Sequence, residues 1–575
     1  MAYRAPVADM LFTMTHAAGL AQPGLYPDLA DGAAAAILEE AGKMAEGVLA
    51  PLYRIGDKAG AHFSAGAVRT PPGWREAYEQ WIAGGWMGVT AAIEHGGMGL
   101  PHLLNAACLE MWNGANMAFA LGPLLSLGAI EALSAHGSPA LQADYLARVV
   151  AGHWAATMNL TEPQAGSDLS GLRARAERAE VGVYRISGEK IYITYGEHDL
   201  TDNIIHLVLA RLPDAPAGTR GISLFLVPKF LADGARNGVA CSGIEHKMGI
   251  HGSPTCTMLY EGATGFLIGE ENRGLACMFT MMNNARLAVG LQGVGLAERA
   301  TQTALSFARE RRQGHAPGDA SAQMSAIIQH PDVRRMLLSM QAATAAARAI
   351  CFMTAHALDL AQRGASADIR KQAQERAGLL TPVAKAYATD VANEAASLCV
   401  QVHGGMGFIE ETGAAQLMRD ARIAAIYEGT NGIQAIDLVQ RKLGLSQGAA
   451  MQAELADMGA CVARLKAFDE AMAEPLRACV EALAEAADYL ESCNRDEPAH
   501  ALAAATPFLR LFALARGGTA LAALALAEDA PAGRWRMLAR FHAQDMAMLG
   551  PALAASLRTS AQTILSADAA LGLTP

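Results

Sequence analysis

The 575-residue sequence predicts a mainly α-helical fold with a central β domain. A helical domain precedes the β domain, a four-helix bundle follows it, and an extra helical domain ends the chain. Three observations carry that expectation. Runs of Ala and Leu dominate and aromatic residues make up only 6%, a composition that favours helix. Between about 156 and 275 the texture changes to short β-branched runs bounded by Asp, Pro and Gly, which reads as strand. Long segments of helical period return after that point. A chain of this length exceeds a single hydrophobic core, so the divisions 1–155, 156–275, 276–445 and 446–575 are expected.

In the first of these, residues 28–58 read as one long helix, Pro71-Pro72-Gly73 breaks the chain, and helix resumes over 74–84. In the second, 183–188 and 190–194 alternate apolar and polar residues, and 204–210 and 221–227 are compact apolar runs. The third holds long helices over 278–312, 331–363 and 369–402, with a further helical segment leading to residue 428. Four such helices suggest an antiparallel bundle. The last is Ala-rich and helical with no site-like polar cluster, and its 10 Lys and Arg against 15 Asp and Glu leave it acidic.

Bulk chemistry narrows the function. A net charge of −11 argues against nucleic acid as a partner. The nine cysteines include no C-x-x-C pair, so a metal site or redox dithiol is not expected, and buried thiols in a reducing compartment are. The opening Met1-Ala2-Tyr3-Arg4-Ala5-Pro6 lacks the apolar core of a signal peptide. No apolar run reads as long and uninterrupted enough to span a bilayer. A cytoplasmic protein is the expectation.

Three stretches carry the chemistry. The densest is Met158-Asn159-Leu160-Thr161-Glu162-Pro163-Gln164-Ala165-Gly166-Ser167-Asp168, whose short hydroxyl and backbone donors suit the polar edge of a planar cofactor and a phosphate. Further on, Tyr192 and Thr194 stand two apart on a predicted strand and so share a face. Finally, the apolar run 423–427 delivers one carboxylate, Glu428, into a Gly-Thr-Asn-Gly turn between helical stretches. A carboxylate so placed is poorly solvated, which raises its pKa and suits it to proton abstraction; the bland reading is a Glu that begins a loop.

The order Thr-Glu-Pro-x-Ala-Gly-Ser-Asp, Tyr-Ile-Thr, Arg-x-Gln, Gln-x-x-Gly-Gly-x-Gly and Tyr-Glu-Gly-Thr resembles the acyl-CoA dehydrogenases over about 40–443. The long C-terminal extension is similar to that of the large bacterial branch containing the 3-(methylthio)propanoyl-CoA dehydrogenases. The resemblance implies FAD as cofactor, an acyl-CoA substrate and a trans-2-enoyl-CoA product, as in fatty acid β-oxidation. It also implies an electron-transferring flavoprotein as acceptor and a homodimer or larger homo-oligomer. It places Leu160, Thr161, Ser167, Tyr192 and Thr194 at the flavin, and Thr430 near its adenosine portion. Arg311, Gln313, Gln401, Gly404 and Gly405 would reach the cofactor of a neighbouring subunit. The Phe that usually precedes the glycine after Arg-x-Gln is missing at Gln313-Gly314.

For the substrate the resemblance implies Ser167, Arg286, Glu428 and Gly429. Asn283 stands where an Asp is common, and a surface charge on the helix is the alternative for Arg286. The family places its base either in the Tyr-Glu-Gly-Thr turn or just before the residue that Arg286 matches; the second position is Ala285, which leaves Glu428. An acyl-CoA oxidase reoxidised by O₂ and a DNA-binding alkylation-response flavoprotein are the alternative readings, the acidic extension counting against the second.

Overall fold

A computed structural model describes residues 3–318, 323–529 and 532–573, without the side chain of Asn283. Met1 and Ala2 lie outside the described residues. Seven strands form one sheet: β1 (Trp154–Asn159), β2 (Arg175–Arg178), β3 (Val183–Thr194), β4 (Asn203–Arg211), β5 (Ile222–Pro228), β6 (Val239–Ile244) and β7 (Thr255–Ile268). Their order is β1-β4-β2-β3-β7-β5, with β6 paired to β7, and a β4–β5 pairing closes the sheet on itself. Closure pairs the strands of the ring on both sides, while β1 and β6 each keep one partner and remain edges. The runs 183–188 and 190–194 are one strand, and 204–210 and 221–227 lie within β4 and β5. The other four strands of this sheet escaped the sequence reading, as did a short hairpin of His62–Ser64 and Ala67–Arg69. Of these, β7 sits on β3, β5 and β6 together, so its pattern is not the simple alternation of a half-exposed strand.

The helical part is built on α1 (His102–His136), α2 (Gly274–Glu310), α3 (Pro331–Arg363) and α4 (Ala367–His403). The last three follow the expected segments closely. The expected fourth member, leading to Glu428, is a short helix, Ala414–Ala421, and one 3₁₀ turn. The fourth long helix packed on the bundle is α1, which lies along α2 and α3. It runs through Pro123. The interruption is at Asn116 (φ −163°, ψ 86°), whose Oδ1 accepts from Phe119 N at 3.2 Å as an N-cap for the following segment. Arg299 of α2 donates to the carbonyls of Gly114 and Ala115 that the interruption leaves open. The helix expected over 28–58 starts at Ala33 and contains a wide turn over Met44–Leu49.

Two features lock the bundle. Arg348 of α3 is buried against Glu110 of α1 (2.6 Å) and Glu298 of α2 (2.8 Å), so one guanidinium ties three helices. Where α2 crosses α4 the contact is between backbones. A Cβ on Gly293 would lie 2.5 Å from the carbonyl of Ala388, and one on Gly290 would lie 3.0 Å from that of Ala384. Only residues without a side chain permit that approach.

After α5 (Asn431–Asp437) the extension adds α6 (Ala449–Phe468), α7 (Glu470–Asp496), α8 (Ala505–Ala527) and α9 (Gly550–Leu565), among shorter turns. Glu454 of α6 bonds Arg376 of α4 at 2.9 Å and Arg516 of α8 at 3.1 Å, and α8 packs on α3, α4 and α5. All nine cysteines are free and buried. One expectation is overturned: α1, α3 and α8 are each long and apolar enough to cross a membrane by length and composition. Interspersed small and polar residues disguised these runs, and 83% of each apolar window is packed inside the fold.

Arg348→Met leaves Glu110 buried without its cation. It should cost about 3–5 kcal/mol of stability, the range for breaking a buried pair from one side, read from guanidinium unfolding midpoints. Arg348→Met combined with Glu110→Leu should recover part of that loss.

Candidate active site

The turn around Glu428 sits where α2, α4 and α5 converge. A 3₁₀ turn (Arg422–Ala425) brings the chain in, and Thr430 caps α5 by accepting from Ile433 N at 3.2 Å. Between them Glu428 has φ +55° and Gly429 φ +84°. A left-handed conformation costs a residue with a Cβ roughly 1–2 kcal/mol, so the surroundings must hold Glu428 in it. They do so from both sides. Lys385 of α4, fully buried, donates to Gly429 O and to Asn431 Oδ1, each at 2.9 Å, and Gln434 Nε2 donates to Glu428 O at 3.3 Å.

Burial raises the Glu428 carboxyl above its ordinary pKa, while the positive charges of Arg286 and Lys385 pull it back. Among the described residues its carboxylate accepts no hydrogen bond, and its N–H finds no acceptor. A free base and a free donor therefore leave from one residue. Burial also depresses Lys385 to about 8, with Glu428 and then Asp390 opposing that shift. Arg286 is buried, which removes the surface-charge alternative. It lies 3.6 Å from Asp437 Oδ2 and keeps an unpartnered Nε. Tyr427 donates its hydroxyl to Gln292, leaving Gln292 Nε2 unpartnered, as is Gln434 Oε1. Buried polar atoms without partners are uncommon in native structures, and a cluster of them marks a place for a polar ligand.

The second group gathers on the sheet. Lys190 of β3 is fully buried and donates to Leu160 O and to Glu162 Oε1, both at 2.9 Å. Glu162 also accepts from Arg173 N (2.7 Å) and Ala174 N (2.9 Å), and these bonds with Lys190 hold its carboxyl low against the opposing effect of burial. Ile191 N bonds Thr161 O at 2.9 Å. The 160–162 segment is thus tied to β3 beside Tyr192 and Thr194. Tyr192 itself departs from the plain strand expected of it. It has φ +58°, lies in an irregularity of the β3–β7 ladder between Lys190 and Ile193, and leaves its side chain 60% exposed. Simple alternation therefore does not relate it to Thr194. Thr161 and Thr194 are half-buried and Ser167 is exposed, so an exposed ring and short hydroxyls are presented together. That donor set fits the planar flavin implied by the sequence.

The third group stands apart. Phe307 near the end of α2 stacks on His403 at the end of α4, 4.2 Å between ring centroids, and brings Arg311 and Gln313 to the same end of the bundle as Gln401, Gly404 and Gly405. All five are exposed, and a Cβ added at Gly404 or Gly405 would meet nothing within 4 Å. That leaves an open cradle where a phosphate can approach backbone. Phe408 is 85% exposed beside them. Along α4, Gln401 is roughly 24 Å from Lys385, and along α2 Arg311 is roughly 37 Å from Arg286, at 1.5 Å per residue. One chain does not bring this group to its own Glu428.

A cavity of about 40 Å³ lies between α1 and α2, lined by His102, Asn105, Glu131, Asn284 and Ala285 among apolar residues. Ala285 adjoins Arg286 in α2. Glu131 accepts from Asn284 Nδ2, and burial raises its carboxyl.

Lys385, Lys190, Gln292, Asn431 and Gln434 were not singled out from the sequence. Lys385 carried a usable signal: it is the lone charge in 377–389, a small and apolar stretch of α4. A charge so placed is buried with partners or it would not be tolerated.

Comparison with known proteins matches three family models: the acyl-CoA dehydrogenase N-terminal domain over 33–153, middle domain over 157–263 and C-terminal domain over 272–443. A protein of Ruegeria pomeroyi described as 3-methylmercaptopropionyl-CoA dehydrogenase is 48% identical over 549 residues, 92% of each chain. The structure of Caenorhabditis elegans ACDH-11 in complex with C11-CoA has a TM-score of 0.82 at 20% identity, covering 98% of this chain and 96% of that one. An acyl-CoA dehydrogenase complexed with FAD from Bacillus anthracis has a TM-score of 0.73 at 22% identity, covering 94% and 91%.

The backbone of the turn generates a prediction independent of turnover. Gly429→Ala should destabilise the protein by about 1 kcal/mol or more, because its Cβ would lie 2.7 Å from Gln434 Nε2 at a positive φ. Glu428→Gly should be neutral or stabilising. Urea unfolding of the two variants checks the contrast.

Proposed function

This chain belongs to the acyl-CoA dehydrogenase family, and from that premise we propose that Glu428 is its base and a short acyl thioester, 3-(methylthio)propanoyl-CoA, its substrate. The enzyme is an FAD-dependent acyl-CoA dehydrogenase, acting on the α and β carbons of an acyl-CoA. The observation that carries the catalytic reading is the half-buried carboxylate of Glu428, unbonded and raised in pKa, between two buried cations.

Glu428 takes the pro-acidic proton at Cα of the thioester. Its own N–H stabilises the negative charge that grows at the thioester oxygen, a preorganised electrostatic contribution. FAD, when bound, supplies the acceptor for the β-hydride. Leu160, Thr161, Ser167, Tyr192 and Thr194 hold the ring, with Thr430 toward the adenosine end, while Ser167, Arg286 and Gly429 hold the substrate. The acceptor proposed for the electrons is an electron-transferring flavoprotein.

The Ruegeria relative, whose similarity spans nearly the whole chain, extension included, supports a short substrate.

The separation of Arg311, Gln313, Gln401, Gly404 and Gly405 from the Glu428 turn supports a homodimer or larger assembly in which they complete the partner's cofactor site. The exposed Phe408 beside them supports the same reading.

Glu428→Gln should keep its flavin and lose turnover by about 10²-fold or more, since general-base catalysis contributes ~10²–10⁴; near-normal activity overturns the base. Across saturated acyl-CoAs, anaerobic flavin bleaching should be fastest with 3-(methylthio)propanoyl-CoA and short chains, without peroxide formation in air. For the assembly, refolding an Arg311→Met chain together with a Glu428→Gln chain should restore activity that neither has alone, because a mixed dimer holds one intact site.

A further inference from the structure

The reaction assigned to Glu428 leaves one buried charge without a stated task. Lys385 has no surface to reach and no carboxylate bonded to it; its two hydrogen bonds go to a carbonyl and an amide oxygen of the base turn. A side chain serving packing alone would not need a charge there, since a buried ammonium is costly and an apolar residue of similar length would fill the space. The bonds are placed to act on the turn. Gly429 O ends the strained pair Glu428–Gly429 and Asn431 opens α5, so one cation ties that pair to the start of the helix that follows it.

Asn431 is itself fixed. Its Nδ2 donates to Asp390 Oδ1 at 2.7 Å and to Ala386 O at 3.1 Å, leaving its Oδ1 for Lys385 and Thr389. The orientation of that amide is thereby set by α4, one turn beyond Lys385. Arg510 of α8 faces Glu394 at 3.1 Å and lies over the Tyr387 ring, 5.3 Å from its centroid, so the extension closes the outer side of this cluster.

We propose that Lys385 is a positioning residue for the dehydrogenation. It holds the Glu428–Gly429 turn in its left-handed conformation and supplies the positive charge that keeps the base ionised while the site is dry. The inference rests on Glu428 being the base. The charged and titratable groups around Lys385 are Glu428 and Tyr427 from the turn, Arg286 from α2, Asp390 and Glu394 from α4, Asp437 from α5 and Arg510 from α8. Of these, Glu428 and Asp390 favour the protonated amine and Arg286 opposes it. Lys385 lowers the Glu428 pKa, so removing its charge raises that pKa and moves the acid limb of activity to higher pH.

The test is the pH dependence of kcat and kcat/KM for the flavin-loaded enzyme with a saturated acyl-CoA. Lys385→Gln keeps a donor for Gly429 O and loses the charge. Its acid limb should move up by about one pH unit, within the range an adjacent opposite charge commands. Lys385→Met loses donor and charge, and should show the same shift with a further fall of about tenfold or more in kcat at the alkaline plateau. Lys385→Arg should return the limb toward its original position. A Lys385→Gln profile that superposes on the parent, with Glu428→Gln inactive, overturns this proposal and leaves the base assignment standing; an active Glu428→Gln overturns the base instead. If Lys385→Met does not fold, Asn431→Ala gives a second reading. It keeps the charge and removes one of the two acceptors of Lys385, so kcat should fall with KM for the acyl-CoA little changed, and an unaltered kcat counts against the proposal.

Discussion

The close crossing of α2 and α4 is the constraint on which the active site depends. Gly290 and Gly293 meet the backbone at Ala384 and Ala388, and the neighbouring residues on the two helices are then forced together. Arg286 and Gln292 arrive from α2, Lys385 from α4, and the turn carrying Glu428 fits between them. The helices could not bring three cationic and polar groups to one carboxylate if side chains held their backbones apart. Further along α2, the Arg348–Glu110–Glu298 cluster fixes that helix to α1 and α3.

Two buried lysines perform the same physical task in different elements. Lys190 ties the 160–162 segment to β3, and Lys385 ties the Glu428 turn to α4. In each case an ammonium in a dry setting bonds the carbonyl of a loop, and its loss of hydration is offset by nearby oxygens. Burial lowers both to about 8. Tyr192 and Glu428, the residues beside these anchors, both hold positive φ. The anchors and the strained residues occur together because left-handed backbone persists only where its surroundings overdetermine it.

Much of this was legible in the sequence, for identifiable reasons. The helices α2, α3 and α4 follow from sustained apolar periodicity, and β4 and β5 from uninterrupted β-branched runs. The Glu428 turn follows from one carboxylate set after an apolar run and before glycine. What escaped depends on long-range packing. The partnership of α1 with the bundle joins residues some 240 positions apart, as in Arg348–Glu110, and no local window contains it. Strand β7 hides because three neighbours bury different parts of it. The positive φ of Tyr192 arises from a slip in pairing that its own sequence, Ile-Tyr-Ile, gives no sign of. Lys190 looked like an ordinary lysine until its carbonyl partner, 30 residues away, was in place, and the lone charge of Lys385 in its apolar stretch gave no indication of which carbonyl, 44 residues away, it would bind.

The attachment of the extension has a consequence for how the gene tolerates damage. Glu454 lies between Arg376 and Arg516, and a Cβ on Gly517 would come 2.8 Å from the side chain of Ala346. The extension therefore seals a face of α3 and α4 that has few polar groups of its own. A premature stop before 454 would strand Arg376 without its anion, and one anywhere from 446 to 505 would bare that apolar face, so the resulting fragment would clump before it could turn over substrate. Every motif that defines the enzyme would still be encoded upstream, yet the message would yield nothing soluble.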